Sequence, residues 1–453
     1  MDERITCPFC GVSSTEAVAI QLHVEENHAD NSTPSEKEAV SDLNHGNVGA
    51  GQSMTIEDEW TKCTRPGCGE YVHMSDVDEH LEMHAAVANV DNVAGVSVTR
   101  PLPSSRQQAL DKSHAKNNQN SLDRSLKQSS HSLLDYFSGN SYHGGSRPKQ
   151  FHGPRQPGRL GKHELGPHAF EKAMPAEVRR RLVNGALPRM TNRITSNGRL
   201  QQEGIVDNET AGVVPVIGDL CALDPSTSMT YLCHPNVKHV HKIQCDGNFC
   251  GYWNIQMLLS HLQASRRASG IQLLPELLPN VLQIQDTIEQ AWSDDVCSYG
   301  KIETGGIRGT RKWIGTSEAL AYFTQIGVNA EALCFRDEDE SSGDLAVVSM
   351  LDYVEAYFMS GLDGAKHHHN SHITQLAPMY FQRSGHSMTI IGLERKKDGS
   401  RNLLLYDPSF GTSDGMNRLL AARRMTAAPE ALLKAYRKSD HTLARWNEFE
   451  LIV

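Results

Sequence analysis

The sequence predicts an α+β fold: a mixed helix and strand domain over residues 205–453, preceded by two small metal-stapled modules and a disordered linker. Three observations predict it. Paired Cys and His residues recur twice within the first 85 positions. Residues 86–160 are rich in Ser, Gln, Asn, His and Gly and poor in large apolar side chains. From about residue 205 the apolar residues return, helically spaced in some segments and in short strand-like runs in others.

The modules come first. Cys7-x2-Cys10-x12-His23-x4-His28 occupies 1–30, and Cys63-x4-Cys68-x11-His80-x3-His84 occupies 55–85. Each set offers two thiolates from a turn and two imidazoles one helical turn apart, the tetrahedral donor set of a structural zinc ion, so two zinc ions are expected. Segments this short bury too little apolar surface to fold alone, and the metal would supply the folding energy. Four protein ligands leave no open coordination position, which argues against a catalytic metal. The helices carrying the histidines bear Glu25, Glu26, Asp76, Asp78, Glu79 and Glu82. Acidic helices repel phosphate, so the modules are expected to bind protein and not DNA.

Net charge is −10 but unevenly spread: residues 1–90 hold 17 acidic and 4 basic side chains, and 100–190 hold 16 basic and 6 acidic ones. The basic linker, 86–160, contains Ser132-Leu-Leu-Asp-Tyr-Phe, a short apolar motif suited to docking on DNA-repair or replication factors. No apolar run reaches 18 residues, and the N-terminus carries no apolar signal core, so no membrane association is expected and the nucleus and cytoplasm are the expected locations. The ten cysteines then read as metal ligands, nucleophiles or reduced core residues.

Residues 161–204 are expected to be a helical segment, with Pro175 and Glu177 opening a helix and Asn184-Gly185 ending it. Beyond it, strands are expected at 213–217 (VVPVI), 386–394 (HSMTIIGLE) and 402–407 (NLLLYD), and helices at 249–264, 276–292, 316–327, 348–359 and 428–437. The run from Lys366 to His372 and the Arg336-Asp-Glu-Asp-Glu segment read as solvated loops, and Arg179–Arg181 as a solvated helix face.

One constellation in this domain carries chemistry. Asp246-Gly247-Asn248 is a turn signal, and Ile255, Leu258, Leu259 and Leu262 follow at helical spacing. Cys250 therefore falls at or just before the first turn of a helix, where free N–H groups and the helix dipole favour a thiolate and can hold an oxyanion. The strands 386–394 and 402–407 read as an antiparallel hairpin turning at Asp398-Gly399, with His386 and Asp407 facing each other at its open end. Asp407 can then orient the His386 imidazole, and His386 can pair with the Cys250 thiol.

CGYWNIQMLLSHL, then GHSMTIIGLE and LLLYDPS, with ELGPHAFEKAMP and KWIGTSEALAYF between 160 and 325, resemble the peptidase family that includes ubiquitin-fold-modifier proteases and zinc-finger ubiquitin peptidases. The resemblance spans about residues 160–415. It implies a papain-like cysteine peptidase domain with Cys250 as nucleophile, His386 as general base and Asp407 as orienting acid. Gln244, six residues before Cys250 as in papain-like enzymes generally, is the oxyanion candidate. The implied activity is cleavage after the C-terminal glycine of ubiquitin in polyubiquitin chains. A protease for the ubiquitin-fold modifier and a non-catalytic ubiquitin-binding adaptor are the alternatives. Trp253 stands where the family has Arg, and Asn248-Phe249 where it has Trp-Gly, so substrate positioning is expected to differ. The zinc modules are expected to act through a flexible tether, and 161–204 to contact ubiquitin.

Overall fold

The computed structural model describes residues 5–6, 13–14, 60–88, 96–99, 149–150, 158–194, 200–243, 247–268, 277–337, 345–368, 370–421, 424–427 and 429–453. Two compact units divide the chain, Met1–Ser53 and Met54–Val453. In the first, Ile5–Thr6 pairs antiparallel with Ser13–Ser14. Cys7, Cys10, His23 and His28 lie outside the described residues, as do Gln244 and the 132–137 motif.

The second unit is built on a ten-stranded sheet. Its central strand, His386–Lys396, pairs antiparallel with Met379–Arg383 and Thr227–Leu232 along one edge and with Arg401–Tyr406 along the other. The strand is long because its interior is buried without a break from Ser387 to Glu394, so it is covered on both faces. Met379–Arg383 continues the sheet through Glu448–Ile452 to Ala332–Arg336. The helix Cys250–Ala268 packs against the central strand and is buried on almost every side from Gly251 to His261. Each fully buried Ile or Leu on such a helix stabilises the fold by about 1.5–3 kcal/mol, which outweighs the few polar groups buried with it.

Several expectations are corrected. VVPVI is not a strand but the first part of the helix Val213–Leu223. Val213, Val214, Val216, Ile217, Leu220 and Cys221 are all buried there, so the run carries no alternation to separate strand from helix. Pro215 sits in the first turn, where its missing N–H has no partner to lose. Residues 161–204 are only partly helical. After the helices Lys162–Leu165 and Ala176–Gly185, Arg189–Ile194 and Leu200–Ile205 form an antiparallel hairpin. In the 86–160 segment, Val96–Thr99 pairs with Arg424–Ala427 and Lys149–Gln150 extends the main sheet beside Ala332–Arg336. The histidine-rich run is a strand pair at the sheet edge, Lys366–His368 against Ser371–Ile373, with the His372 ring stacked on Tyr231.

Candidate active site

Cys250 opens its helix because Phe249 ends the preceding turn: the Phe249 carbonyl already accepts from the Tyr252 and Trp253 N–H groups. The helix start approaches its neighbours closely. A Cβ at Gly251 would stand 2.6 Å from Ile314 Cγ1 and 2.8 Å from the Ile314 carbonyl oxygen, so only glycine fits there. Asn254 fixes the distance to the sheet: its amide donates to the Cys250 carbonyl at 2.9 Å, and its Oδ1 accepts from Thr389 Oγ1 at 2.7 Å.

His386 begins the central strand and Asp407 follows the last residue of Arg401–Tyr406. His386 Nε2 lies 2.9 Å from Asp407 Oδ1, and the Ser409 N–H donates to the same oxygen at 2.9 Å. With Nε2 engaged, Nδ1 is the ring nitrogen left for the Cys250 thiol. Ser387 adds a second polar contact, its Oγ 3.5 Å from Cys250 Sγ, and Tyr380 donates to that Oγ at 3.1 Å.

The electrostatics follow from this geometry. Burial opposes charge on all three groups. At His386 burial is overcome by the Asp407 charge and hydrogen bond, with Cys250 adding to them, and the imidazole is raised to about 10. At Cys250 burial is overcome by the His386 hydrogen bond and charge and by Ser387, and the thiol is held below its usual range. At Asp407 burial is overcome by His386, then by Lys438 and the Ser409 N–H, and the carboxyl is held far below the usual carboxylate range. The resting state these shifts favour is a thiolate beside an imidazolium.

The residues beside the thiol that depart from the resembled family face inward. Phe249 and Trp253 are buried, with their rings 6.4 Å apart, so the two bulky residues fill core volume together. Sequence reasoning missed Asn254, Ser387 and Tyr380. An Asn inside an otherwise apolar helical run was the one legible signal among them.

The second Cys/His set is also assembled, on a hairpin of Trp60–Lys62 and Tyr71–His73 followed by the helix Val77–Ala88. Cys63 Sγ lies 3.5 Å from His84 Nε2 and Cys68 Sγ 3.2 Å from His80 Nε2, and all four donor atoms fall within 4.8 Å of one another. Tetrahedral donors at zinc bond lengths stand roughly 3.3–3.8 Å apart, so the set fits Zn²⁺. Burial first, with the neighbouring His84, lowers His80 to about 4, leaving it neutral and able to coordinate.

This module does not hang on a tether. It packs on the catalytic domain, where Trp60, Glu70, Asp76 and His80 line one cavity together with His386 and Asp407. Complementary charge explains the docking: the module's acidic face, which argued against DNA, meets Lys242, Arg383, Lys438 and Arg445.

A helix-start thiol facing an imidazole and a carboxylate carried by two antiparallel strands defines a papain-like cysteine peptidase. The sequence model of peptidase family C78 matches residues 226–452, and the chain belongs to that family. Among its relatives, the zinc finger-containing ubiquitin peptidase 1 of Homo sapiens is 33% identical over 187 residues, 41% of this chain and 31% of that protein. The Mus musculus protein of the same name is 30% identical over 208 residues, 45% of this chain and 35% of that one. Ubiquitin carboxyl-terminal hydrolase mug105 of Schizosaccharomyces pombe is 30% identical over 144 residues, 32% of this chain and 53% of that one. The matches thus span about a third of the length of the zinc finger-containing relatives. The solved UfSP from C. elegans superposes with a TM-score of 0.30 at 13% identity, covering 50% of this chain and 34% of that one.

Proposed function

We propose that this chain is a deubiquitinating cysteine isopeptidase, cleaving after the C-terminal glycine of ubiquitin in polyubiquitin chains. The observation that carries the reading is the Cys250–His386–Asp407 arrangement, with His386 hydrogen-bonded to Asp407 and shifting the Cys250 thiol downward. The Cys250 thiolate attacks the glycine carbonyl and forms a tetrahedral oxyanion, which the first N–H groups of its helix can hold. As the intermediate collapses, the C–N bond breaks, His386 gives its proton to the leaving amine and a thioester remains. His386 then takes a proton from water, the hydroxide attacks the thioester, and the glycine carboxylate and the thiol are released. Asp407 keeps the imidazole oriented and stabilises its charged form throughout.

Ubiquitin is favoured over the ubiquitin-fold modifier by the names of the 30–33% identical relatives and by the Cys/His modules this chain carries. In this reading each module holds one structural zinc ion, and the protein works in the nucleus and cytoplasm. Residues 161–204 supply a ubiquitin contact: Leu187, Met190 and Leu200 leave 58%, 58% and 69% of their surface exposed, unusual for apolar residues on one short hairpin and its approach. Glycine-directed activity probes built on each modifier test the assignment. Labelling of Cys250 by the ubiquitin probe, lost in Cys250→Ala, is expected. Labelling by the ubiquitin-fold-modifier probe alone would reverse the substrate. Absence of chain cleavage by wild type, leaving it no different from Cys250→Ala, would make the protein a non-catalytic adaptor.

A further inference from the structure

The second Cys/His module touches the catalytic domain beside each of the three proposed catalytic residues. Beside His386, the Trp60 indole lies flush on Gly385: a Cβ there would stand 2.0 Å from Trp60 Cη2. Gly385 also adopts φ +73°, so the turn leading into His386 is closed by a residue that only glycine can be, and the indole covers it. Trp60 is anchored in turn by Trp313, their ring centroids 5.0 Å apart. Beside Cys250, the Gly69–Glu70 backbone meets Gly247, where a Cβ would be 2.6 Å from Glu70 Cα and 2.7 Å from the Gly69 carbonyl oxygen. Lys242 locks that contact, its ammonium 3.1 Å from Glu70 Oε1 and 3.4 Å from Cys68 Sγ. Beside Asp407, the Phe410 ring packs against the rings of His80 and His84 at 5.3 and 5.2 Å.

Asp76 completes the set. It pairs with Arg383 at 3.0 Å, with the two side chains 9% and 10% exposed. Arg383 Nη1 also donates to the Ser384 carbonyl at 3.0 Å, and its guanidinium lies 4.0 Å above the Trp446 ring. The Ser384–Gly385 turn is therefore held from one side by an arginine that the module neutralises and from the other by the module's tryptophan. A recruiting domain on a flexible tether requires none of these contacts. Two of them, Lys242–Glu70 and Arg383–Asp76, are buried charge pairs, which are costly to form and strongly destabilising to break from one side.

We propose that the second Cys/His module is a fixed wall of the catalytic centre, in which Trp60 and Asp76 are positioning residues that hold the Ser384–Gly385 turn and so aim the His386 ring at Cys250. The proposal rests on the reading of Cys250 and His386 as the catalytic pair. Zinc bound by Cys63, Cys68, His80 and His84 keeps the wall folded, so loss of the metal loosens His386 without touching it.

The test uses the full-length protein and reads alkylation of Cys250 by iodoacetamide, resolved by peptide mass spectrometry, alongside bound zinc and turnover. Wild type should alkylate at Cys250 faster than its other cysteines, and His386→Ala should abolish that advantage. If wild type shows no such advantage, the catalytic reading itself fails. Given that advantage, Trp60→Ala and Asp76→Asn should retain their zinc yet slow Cys250 alkylation and kcat about tenfold, with KM little changed, equivalent to about one pKa unit of lost thiolate pairing. Trp60→Phe should recover most of the rate. Zinc stripped from wild type by a chelator should reproduce the loss and shift tryptophan emission to the red as Trp60 leaves Trp313, and zinc addition should reverse both. Variants that keep zinc and alkylate at the wild-type rate would overturn the proposal. If a variant loses its zinc, stripped wild type decides: an unchanged Cys250 rate overturns the proposal and a slowed one supports it.

Discussion

Asp407 reaches His386 because the central strand carries one extra residue. Across the hairpin, Arg395 pairs with Arg401 and Gly392 with Leu404, but the register slips by one before Ile390 pairs with Leu405 and Thr389 with Tyr406. The next position along places Asp407 opposite Met388, diagonal to His386 and on its face of the sheet. Without the bulge at Ile391, Asp407 would fall opposite Thr389 and point to the other face, since a one-residue slip reverses every side chain.

Asp407→Asn should leave the fold intact and cut turnover by about 10²–10⁴-fold, because an amide neither fixes the imidazole tautomer nor stabilises its charge. The check is kcat on a C-terminal glycine substrate together with an NMR titration of His386, whose pKa should fall from its raised value. An unchanged His386 titration would remove Asp407 from the triad.

The pH dependence follows from the directions of the shifts. The active pair is thiolate and imidazolium, and it forms once Cys250 ionises at its lowered pKa and persists until His386 loses its proton near pH 10. Activity should therefore rise on the acid side below the normal thiol range, level off once Cys250 is ionised and fall towards pH 10. Stability moves likewise. The raised His386 contributes fully below its unfolded pKa of about 6.5 and loses its contribution as pH rises through about 10, whereas depressed Asp407 contributes above about 3.9 and loses its contribution as pH falls. A kcat profile with an alkaline limb near pH 7 would contradict the His386–Asp407 pairing.

Asn254→Ala should destabilise the domain by about 1–3 kcal/mol, since it leaves the buried Thr389 hydroxyl without its acceptor. It should also lower activity, because Asn254 ties the Cys250 turn to the strand that carries His386. Thermal melting and probe labelling measured on one sample separate the two effects. A melting point at the wild-type value would show that the Thr389 and Cys250 contacts carry no strength.

Trp253→Arg, which introduces the residue found at this position in the resembled family, should not improve activity. Trp253 is 2% exposed against Phe249, and a guanidinium there would be buried among apolar neighbours. Loss of soluble protein or a melting point lowered by several degrees is expected. A stable and more active variant would mean that the Trp253 pocket opens towards substrate.

By itself the sequence determined the local pieces. The second Cys/His spacing placed two thiols on a hairpin and two imidazoles on a helix, because i and i+4 share a helix face. The apolar spacing after Asp246-Gly247-Asn248 placed Cys250 at a helix start, and Asp398-Gly399 marked the turn between the strands bearing His386 and Asp407. Each signal is periodic or local, so it survives without knowledge of the fold. Tertiary structure alone decided the rest. It turned VVPVI into a helix because burial on all sides erases the alternation that marks a strand. It set the bulge at Ile391, at which the adjacent Gly392 hints without fixing the register. It seated Trp60 on Gly385 and Glu70 on Lys242, contacts between residues 325 and 172 positions apart, respectively, that leave no pattern along the chain. Such contacts depend on which surfaces meet, and surfaces exist only once the chain has folded.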